Sequence, residues 1–188
     1  MLNTILGTLS SGVAASTSSY ESIATSNPTS GFSITFSSIP SDYVALQLRS
    51  IIRSNSGSTG TARFLLSFNG DTNTANYRSH ALNGDGSSAT ANDVSGQAGV
   101  FIANAVVPNG ESASIFGVSI VDIYNYKSST QNKTIRTISG GDLNGGGTIT
   151  LQSGLYMDTT AITSITVNLA NTSFQSGSQI ALYGIKGA

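Results

Sequence analysis

Alternation between apolar and polar residues runs through most of this chain, and it constrains the fold more than any other feature. Successive side chains of a β-strand point to opposite faces of a sheet, so a period of two predicts strands with one face on a core. The clearest examples are "GFSITF", "YVALQLRSIIR", "RFLLSF", "GTITLQSGLY" and "ITSITVNL". The chain is therefore expected to form half-buried strands, whose other face meets water or a neighbouring molecule.

The phase of each segment predicts which side chains face the core. We expect the apolar phase to point inward, and its members are Phe32, Ile34, Phe36, Val44, Leu46, Leu48, Ile52, Phe64, Leu66, Phe68, Ile149, Leu151, Ile165, Val167 and Leu169. The opposite phase is predicted to point outward, and it contains Ser33, Thr35, Gln47, Arg49, Arg53, Thr148, Thr150 and Gln152. Each of these positions can be checked against the burial of the side chain.

The segment "ASIFGVSIVDIYNY" does not keep a single phase. Phe116, Val118 and Ile120 share one phase, and Val121 and Ile123 take the other. A slip of one residue predicts either a β-bulge or a strand that is buried on both faces. We expect a central strand here, in which the glycine of "FGV" allows a close approach.

The final residues, "QIALYGIK", have the pattern of a strand and not of a loose tail. Chain termini are usually poorly ordered unless another element holds them. We therefore expect a closing strand that pairs within the sheet, with Gly184 allowing another backbone to pass close.

Turn signals separate the predicted strands at short intervals. They include "SNPTSG", "FNGDTNTAN", "LNGDGSS", "VPNGES" and "LNGGG", in which Asn-Gly and Asp-Gly pairs tolerate the positive φ of tight turns. No amphipathic window is long enough for a substantial helix. About ten strands at this spacing predict an all-β fold. We expect a single jelly-roll-like antiparallel β-sandwich over residues 20–188.

Residues 1–19 differ in composition from the rest and are predicted to form a short N-terminal arm. They carry no charged side chain, and their larger apolar residues could share one helical face. Two glycines and many hydroxyl residues argue against a stable isolated helix. We expect the arm to become ordered against a partner, through Leu2, Ile5, Leu6, Leu9 and Val13; a loose terminus is the alternative.

Charged residues make up only 9% of the 188 residues, and the net charge is −1. An average domain has about 25% charged residues, and nucleic-acid binders carry a basic surface, so no nucleic-acid partner is expected. The chain has no Cys, no apolar run long enough to span a membrane and no recognisable secretory leader. Such a surface favours permanent assembly; an ordinary secreted β domain is the alternative.

The sequence offers few candidates for chemistry, and we expect no enzyme, metal or cofactor. His80 is the only histidine, and although a Ser-His-Asp triad is conceivable, no G-x-S-x-G motif supports one. Oxygen ligands that could suit Ca²⁺ occur at Asn69, Asp71, Asn73, Asn83 and Asp85, but their Asx-Gly context is typical of turns. An aromatic platform for sugars could use Tyr77, Tyr124, Tyr126 and Tyr156, although interior or interface positions are the simpler interpretation.

Several phrases of the sequence together resemble a family of tailed-bacteriophage virion proteins. These phrases are "SYESIATS", "SIPSDYVALQLRSIIRS", "NYRSHALNGDGS" and the terminal "IALYGIKG", and the resemblance extends from Tyr20 to Gly187. It implies an all-β, jelly-roll-like module that is trimeric, and it brings no catalytic residues. It does not determine where on the particle the protein lies.

These observations lead to an expected role as a capsid decoration (cement) protein on the outer surface of a phage virion, assembled in the host cytoplasm. The expected partners are two further copies of the chain, in a homotrimer, and the major capsid protein or another virion protein. The alternatives are a tail-fibre or receptor-binding tip and a carbohydrate-binding β-sandwich module, which would bring a host-surface glycan as partner. A chain of 188 residues leaves no room for the long shaft of a tail fibre, and the absence of Trp argues against a carbohydrate-binding module.

Overall fold

The computed structural model describes residues 18–187, which form strands connected by turns and short loops. The only helical element within this range is a short 3-10 turn at Thr74–Asn76. The strands are β1 (Tyr20–Ser26), β2 (Ser33–Phe36), β3 (Ala45–Ser54), β4 (Ala62–Phe68), β5 (Tyr77–Gly84), β6 (Ala89–Ser95), β7 (Val100–Pro108), β8 (Gly117–Tyr124), β9 (Lys133–Asp142), β10 (Gly147–Tyr156), β11 (Ile165–Asn168) and β12 (Gln179–Ile185). The predicted arm, including Leu2, Ile5, Leu6, Leu9 and Val13, lies almost entirely outside the described residues.

The strands are arranged in a large sheet and a small one. The large sheet has the order β1-β12-β3-β8-β9-β10-β5-β6, and the small sheet has the order β2-β11-β4-β7. The end of β3 joins them through a two-residue parallel pairing with β7, where Arg53 lies opposite Val107. All other strand pairs among residues 18–187 are antiparallel. The predicted all-β sandwich is confirmed, and so is the closing strand, β12.

The apolar core lies where β4 and β11 face β3, β8 and β12. The predicted inward residues of β4, Phe64, Leu66 and Phe68, have no exposed surface. Leu46 and Leu48 of β3 are equally buried and pack in the same cluster. Burial of a large apolar side chain contributes about 1.5–3 kcal/mol, so this cluster is the main source of stability.

A second interior region has a different chemistry. Strand β7 lies over the inner face of β5, β9 and β10, and polar groups connect the layers. The Ser139 hydroxyl donates to the carbonyl of Ala103 at 2.5 Å, and the Ala103 amide donates to Oε1 of Gln152 at 3.2 Å. The amide of Phe101 donates to the Ser79 hydroxyl at 3.1 Å. Hydrogen bonds therefore join the two layers here, in addition to apolar contacts such as that of Val100 with Gly154.

Three inward or outward assignments near β2 and β3 are wrong. Val44 and Phe32, predicted to point inward, are 53% and 63% exposed, because each precedes its strand and lies outside the sandwich. Arg53, predicted to point outward, is buried. Gln47 lies on the outer face as predicted, where Arg49 and Asp122 cover it. The guanidinium of Arg53 donates to the carbonyls of Ile115 (2.6 Å) and Glu111, and so it holds the loop before β8.

The phase assignment of β10 is also wrong, and here the two faces are exchanged. Ile149 and Leu151 are more than half exposed, whereas Thr150 and Gln152 are buried. The physical reason is the layer that β7 packs on this face, where the Asn104 side chain donates to the Thr150 hydroxyl and the Ala103 amide donates to Oε1 of Gln152. The strand itself is correctly predicted.

Strand β8 lies in the interior of the large sheet, between β3 and β9, as predicted. Its pairing with both neighbours runs without a bulge, and Val118 and Ile120 are exposed, so neither explanation offered for the phase slip holds. Gly117 does permit a close approach, since a Cβ there would lie 2.7 Å from the backbone of Ala105. Gly184 packs against the ring of Tyr43 and not against another backbone.

Candidate interaction surface

The outer face of the large sheet, which points away from the core, carries a continuous group of exposed aliphatic side chains. We call this group the apolar face. Each member is between 41% and 59% exposed, and the members are Ile51, Leu82, Val118, Ile120, Ile138, Ile149 and Leu151. They belong to five neighbouring strands, β3, β8, β9, β10 and β5, so they form one surface.

Strand register arranges the apolar face in two rows that cross the strands. The first row runs Ile51–Val118–Gly140–Ile149–Gly84, with each residue directly opposite the next. The second row lies two residues further along each strand and runs Arg49–Ile120–Ile138–Leu151–Leu82. Five strands span about 19 Å, and the rows lie about 7 Å apart, so the face is long and narrow.

A row of buried hydroxyl and amide groups lies directly behind the apolar face, on the inner side of the same strands. Ser50 and Ser119 share a hydrogen bond at 2.6 Å. Thr150 donates to Oδ1 of Asn83 at 2.8 Å and accepts from Nδ2 of Asn104 at 2.7 Å. Burying a polar group costs free energy unless the group is hydrogen-bonded. This row therefore fixes which phase of these strands points inward.

A groove of about 870 Å³ runs along the apolar face. The glycine-rich turn between β9 and β10, which contains Gly145 and Gly146, forms one wall. Arg49 lies at the β3 end and is held by contacts within the chain. Its Nε donates to Oε1 of Gln47 at 2.7 Å, and its guanidinium lies 5.1 Å from the ring centres of Tyr20 and Tyr183.

A polar row borders the apolar face on the side away from that turn. Gln47 donates to one oxygen of the Asp122 carboxylate at 2.7 Å, and Arg136 pairs with the other oxygen at 2.7 Å. The hydrogen bond with Asp122 raises the pKa of Arg136. Arg136 also donates to the Tyr124 hydroxyl at 2.9 Å. The charges of Asp122 and Arg136 satisfy each other, and the two rows of the apolar face contain no formal charge except that of Arg49.

The same polar row continues to His80 and brings a histidine, a carboxylate and a hydroxyl side by side. Strand register places His80 opposite both Ser153 and Asp93, and its Nε2 lies 3.5 Å from Oδ1 of Asp93. The side chains of His80 and Asp93 are 70% and 59% exposed. The described residues show no hydrogen bond between Ser153 and His80. The structure therefore brings the three residue types together without the Ser–His hydrogen bond that a triad uses.

The carboxylates of the candidate calcium ligands accept hydrogen bonds from neighbouring residues in their turns. Asp85 accepts hydrogen bonds from the amides and hydroxyls of Ser87 and Ser88, and these bonds lower its pKa. Asp71 accepts from the amide of Asn73 and from Nδ2 of Asn76. Within residues 18–187 no three His, Asp or Glu side chains form a group that could hold a metal ion.

The remaining predicted candidates are dispersed. Asn69 adopts a positive φ of 53° and accepts from the amide of Thr163, so it serves a turn. Asn83 belongs to the buried polar row described above. Tyr77 and Tyr156 stack in the interior at 4.9 Å, and burial raises the pKa of Tyr77 to about 12. Tyr126 is also buried, and its hydroxyl donates to the carbonyl of Pro40.

Tyr124 is the one member of the predicted aromatic platform that reaches the outer face, where Arg136 lies 5.7 Å from its ring centre. The four tyrosines therefore form no common surface. The interior interpretation is correct for the other three. The arm residues, Leu2, Ile5, Leu6, Leu9 and Val13, lie outside the described residues and stay a prediction.

Comparison with known proteins gives this chain no family. No protein-family model, curated protein or solved structure matches it. None of the helices in residues 18–187 has the length and hydropathy needed to cross a membrane.

Proposed function

We propose that this chain is a structural protein of a tailed-bacteriophage virion, and that it decorates and stabilises the capsid as a homotrimer. The observation that carries the proposal is the apolar face on an otherwise polar, weakly charged β-sandwich. Large exposed apolar patches mark interaction sites. The resemblance of "SYESIATS" and "IALYGIKG" to virion proteins suggests the kind of assembly that would use it.

The composition of the surface also supports a permanent assembly. Only 9% of the residues are charged, so little charge has to be desolvated when surfaces meet. Ser and Thr supply the polarity in place of Lys and Glu, which lose more side-chain entropy on burial. The predicted arm would provide a second contact, with the major capsid protein or another virion protein.

Quantitative mass spectrometry of the purified virions that encode this chain tests the proposal. We expect hundreds of copies per particle, in a fixed ratio to the major capsid protein. A handful of copies would favour the tail-fibre or receptor-binding alternative. Complete absence from the particle would overturn the virion role altogether.

A further inference from the structure

We infer that the apolar face is the surface through which copies of this chain meet, and that the faces of three copies converge on a threefold axis parallel to the two rows. The inference deepens the proposed homotrimer, on which it rests, and does not depend on the virion role. The occupant of the apolar face is thus the same face of two neighbouring copies.

The first support is the area. The seven residues of the apolar face expose on the order of 700 Å², which is above the roughly 300–600 Å² of the largest patch on a typical monomer. A stable interface buries about 800 Å² on each partner. Each subunit of a trimer makes two such interfaces, so the apolar face supplies roughly half of the area for each, and the polar row and the walls of the groove supply the rest.

The second support is shape. The second row is a nearly unbroken ridge of large side chains, Ile120, Ile138, Leu151 and Leu82. The first row has a glycine at two positions, so hollows lie beside Val118 and Ile149. Each of the two glycines lies on the same strand as a large residue of the ridge. Gly140 shares β9 with Ile138, and Gly84 shares β5 with Leu82.

A threefold axis would bring the ridge of one copy against the hollows of the next. In a cyclic trimer each subunit presents one side of its surface to one neighbour and the other side to the next. With the axis parallel to the rows, the ridge of one copy packs into the hollows of the next, at the same height along the axis. The long and narrow outline of the face suits such an axis better than it suits two flat sheets stacked face to face.

The third support is electrostatic. Arg49 is the only charged residue in the two rows, and its contacts with Gln47, Tyr20 and Tyr183 satisfy it within the subunit. No charge on the apolar face needs an opposite charge on a partner. A surface of this kind fits a partner of equally low charge, and this chain is itself such a partner.

Native mass spectrometry of the full-length chain at micromolar concentration tests the inference, with Ile138→Lys and Gly84→Ile as variants. Lysine at position 138 would place a charge at the centre of the axis. Isoleucine at position 84 would fill a hollow, and the subunit tolerates a Cβ there, since its nearest neighbour is Cγ2 of Ile149 at 3.7 Å. We expect a trimer for the wild type and at least a 100-fold weaker association for both variants.

The matched control is Thr134→Lys, an exposed residue on the outer face of β9 that lies outside the two rows. It adds the same charge to the same strand and should leave the trimer intact, and circular dichroism should show that all variants are folded. A wild-type trimer that survives both Ile138→Lys and Gly84→Ile would overturn the inference but leave the homotrimer standing. A monomeric wild type would overturn both, and if that monomer still bound undecorated capsids, the virion role would survive.

Discussion

Strands β4 and β10 have the same alternating pattern in the sequence and opposite arrangements in the fold. The apolar phase of β4, including Phe64 and Leu66, is completely buried. The apolar phase of β10, Ile149 and Leu151, is exposed, and Thr150 of the polar phase has no exposed surface. Alternation therefore determines which residues share a face of a strand, and the layer packed against the strand determines which face is inside.

The layer packed against β4 is apolar, whereas the layer packed against β10 supplies hydrogen-bond donors. Strand β4 meets aliphatic residues such as Leu46 and Leu48 of β3 within the core cluster. Strand β10 meets β7, whose Asn104 donates to Thr150 and whose Ala103 amide donates to Gln152. Hydrogen bonding offsets the cost of burying hydroxyls and amides, and it leaves the aliphatic side chains of β10 available for another molecule.

The largest effect should come from truncating the core of the β4 region. We expect Phe64→Ala to lower the free energy of unfolding by about 3–5 kcal/mol, and Leu46→Ala or Leu48→Ala by about 2–5 kcal/mol, because each leaves a cavity. Denaturation in urea measures these changes. Ile149→Ala, made in the dissociated Ile138→Lys background, should cost about 1 kcal/mol or less, since that side chain is 59% exposed.

Two outcomes would contradict the predicted difference between Phe64→Ala and Ile149→Ala. A loss below about 0.5 kcal/mol for Phe64→Ala would mean that β4 does not face the main core. A loss for Ile149→Ala as large as that for Phe64→Ala would mean that the apolar face is buried within a single subunit. In the wild-type background the cost of Ile149→Ala should rise with protein concentration, because association then contributes to stability.

Substitutions in the buried polar row should have an intermediate effect on the free energy of unfolding. Thr150→Val keeps the shape of the side chain but removes the hydroxyl that joins Asn83 and Asn104, and we expect a loss of about 1–3 kcal/mol. Thr137→Val is the matched control. It lies on the same inner face, is 1% exposed, and its hydroxyl has no hydrogen-bond partner among the described residues.

Thr137→Val should therefore leave the free energy of unfolding unchanged or raise it, because no hydrogen bond is lost and a polar group is removed from the interior. Urea denaturation of both variants gives the comparison. Equal losses for Thr150→Val and Thr137→Val would mean that shape, and not hydrogen bonding, fixes the inward phase of β9 and β10.

Much of the fold could be predicted because its signals are local. Alternation and turn residues indicated the strands, and "QIALYGIK" correctly predicted the closing strand β12. The glycine between Phe116 and Val118 indicated the close approach to Ala105. The pairing of β3 with β7 could not be predicted, because it brings together Arg53 and Val107, which are distant in the sequence.

The apolar face was missed because Ile149 and Leu151 were assigned to the core, and the partner contact was assigned to the N-terminal arm. One signal was present in the sequence. Ser119 alternates with Val118 and Ile120, and Ser139 follows Ile138, so small hydroxyl residues accompany the aliphatic ones on neighbouring strands. Small polar residues can be buried if a partner layer hydrogen-bonds them, but that layer, β7, is known only from the fold.

The smallest expected effect on stability comes from a solvent-exposed ion pair at the edge of the large sheet. Nζ of Lys186 lies 2.6 Å from Oε2 of Glu21, and both side chains are substantially exposed. The hydrogen bond and charge of Lys186 lower the pKa of Glu21 below its ordinary value of 4.5, and Glu21 raises the pKa of Lys186. Exposed pairs contribute little to stability because water screens them.

The sign of the effect follows from the direction of the shift. Glu21 binds its proton less tightly in the folded chain than in the unfolded chain, so its contribution is present above pH 4.5 and is lost as the pH falls through the lowered pKa. In an NMR titration, Lys186→Met should move the midpoint of Glu21 up toward 4.5. Asp85 is the control, because serine amides and hydroxyls lower its pKa and Lys186 takes no part. An unchanged Glu21 midpoint in Lys186→Met would show that the pair does not form in solution, and that β12 alone holds β1 at the sheet edge.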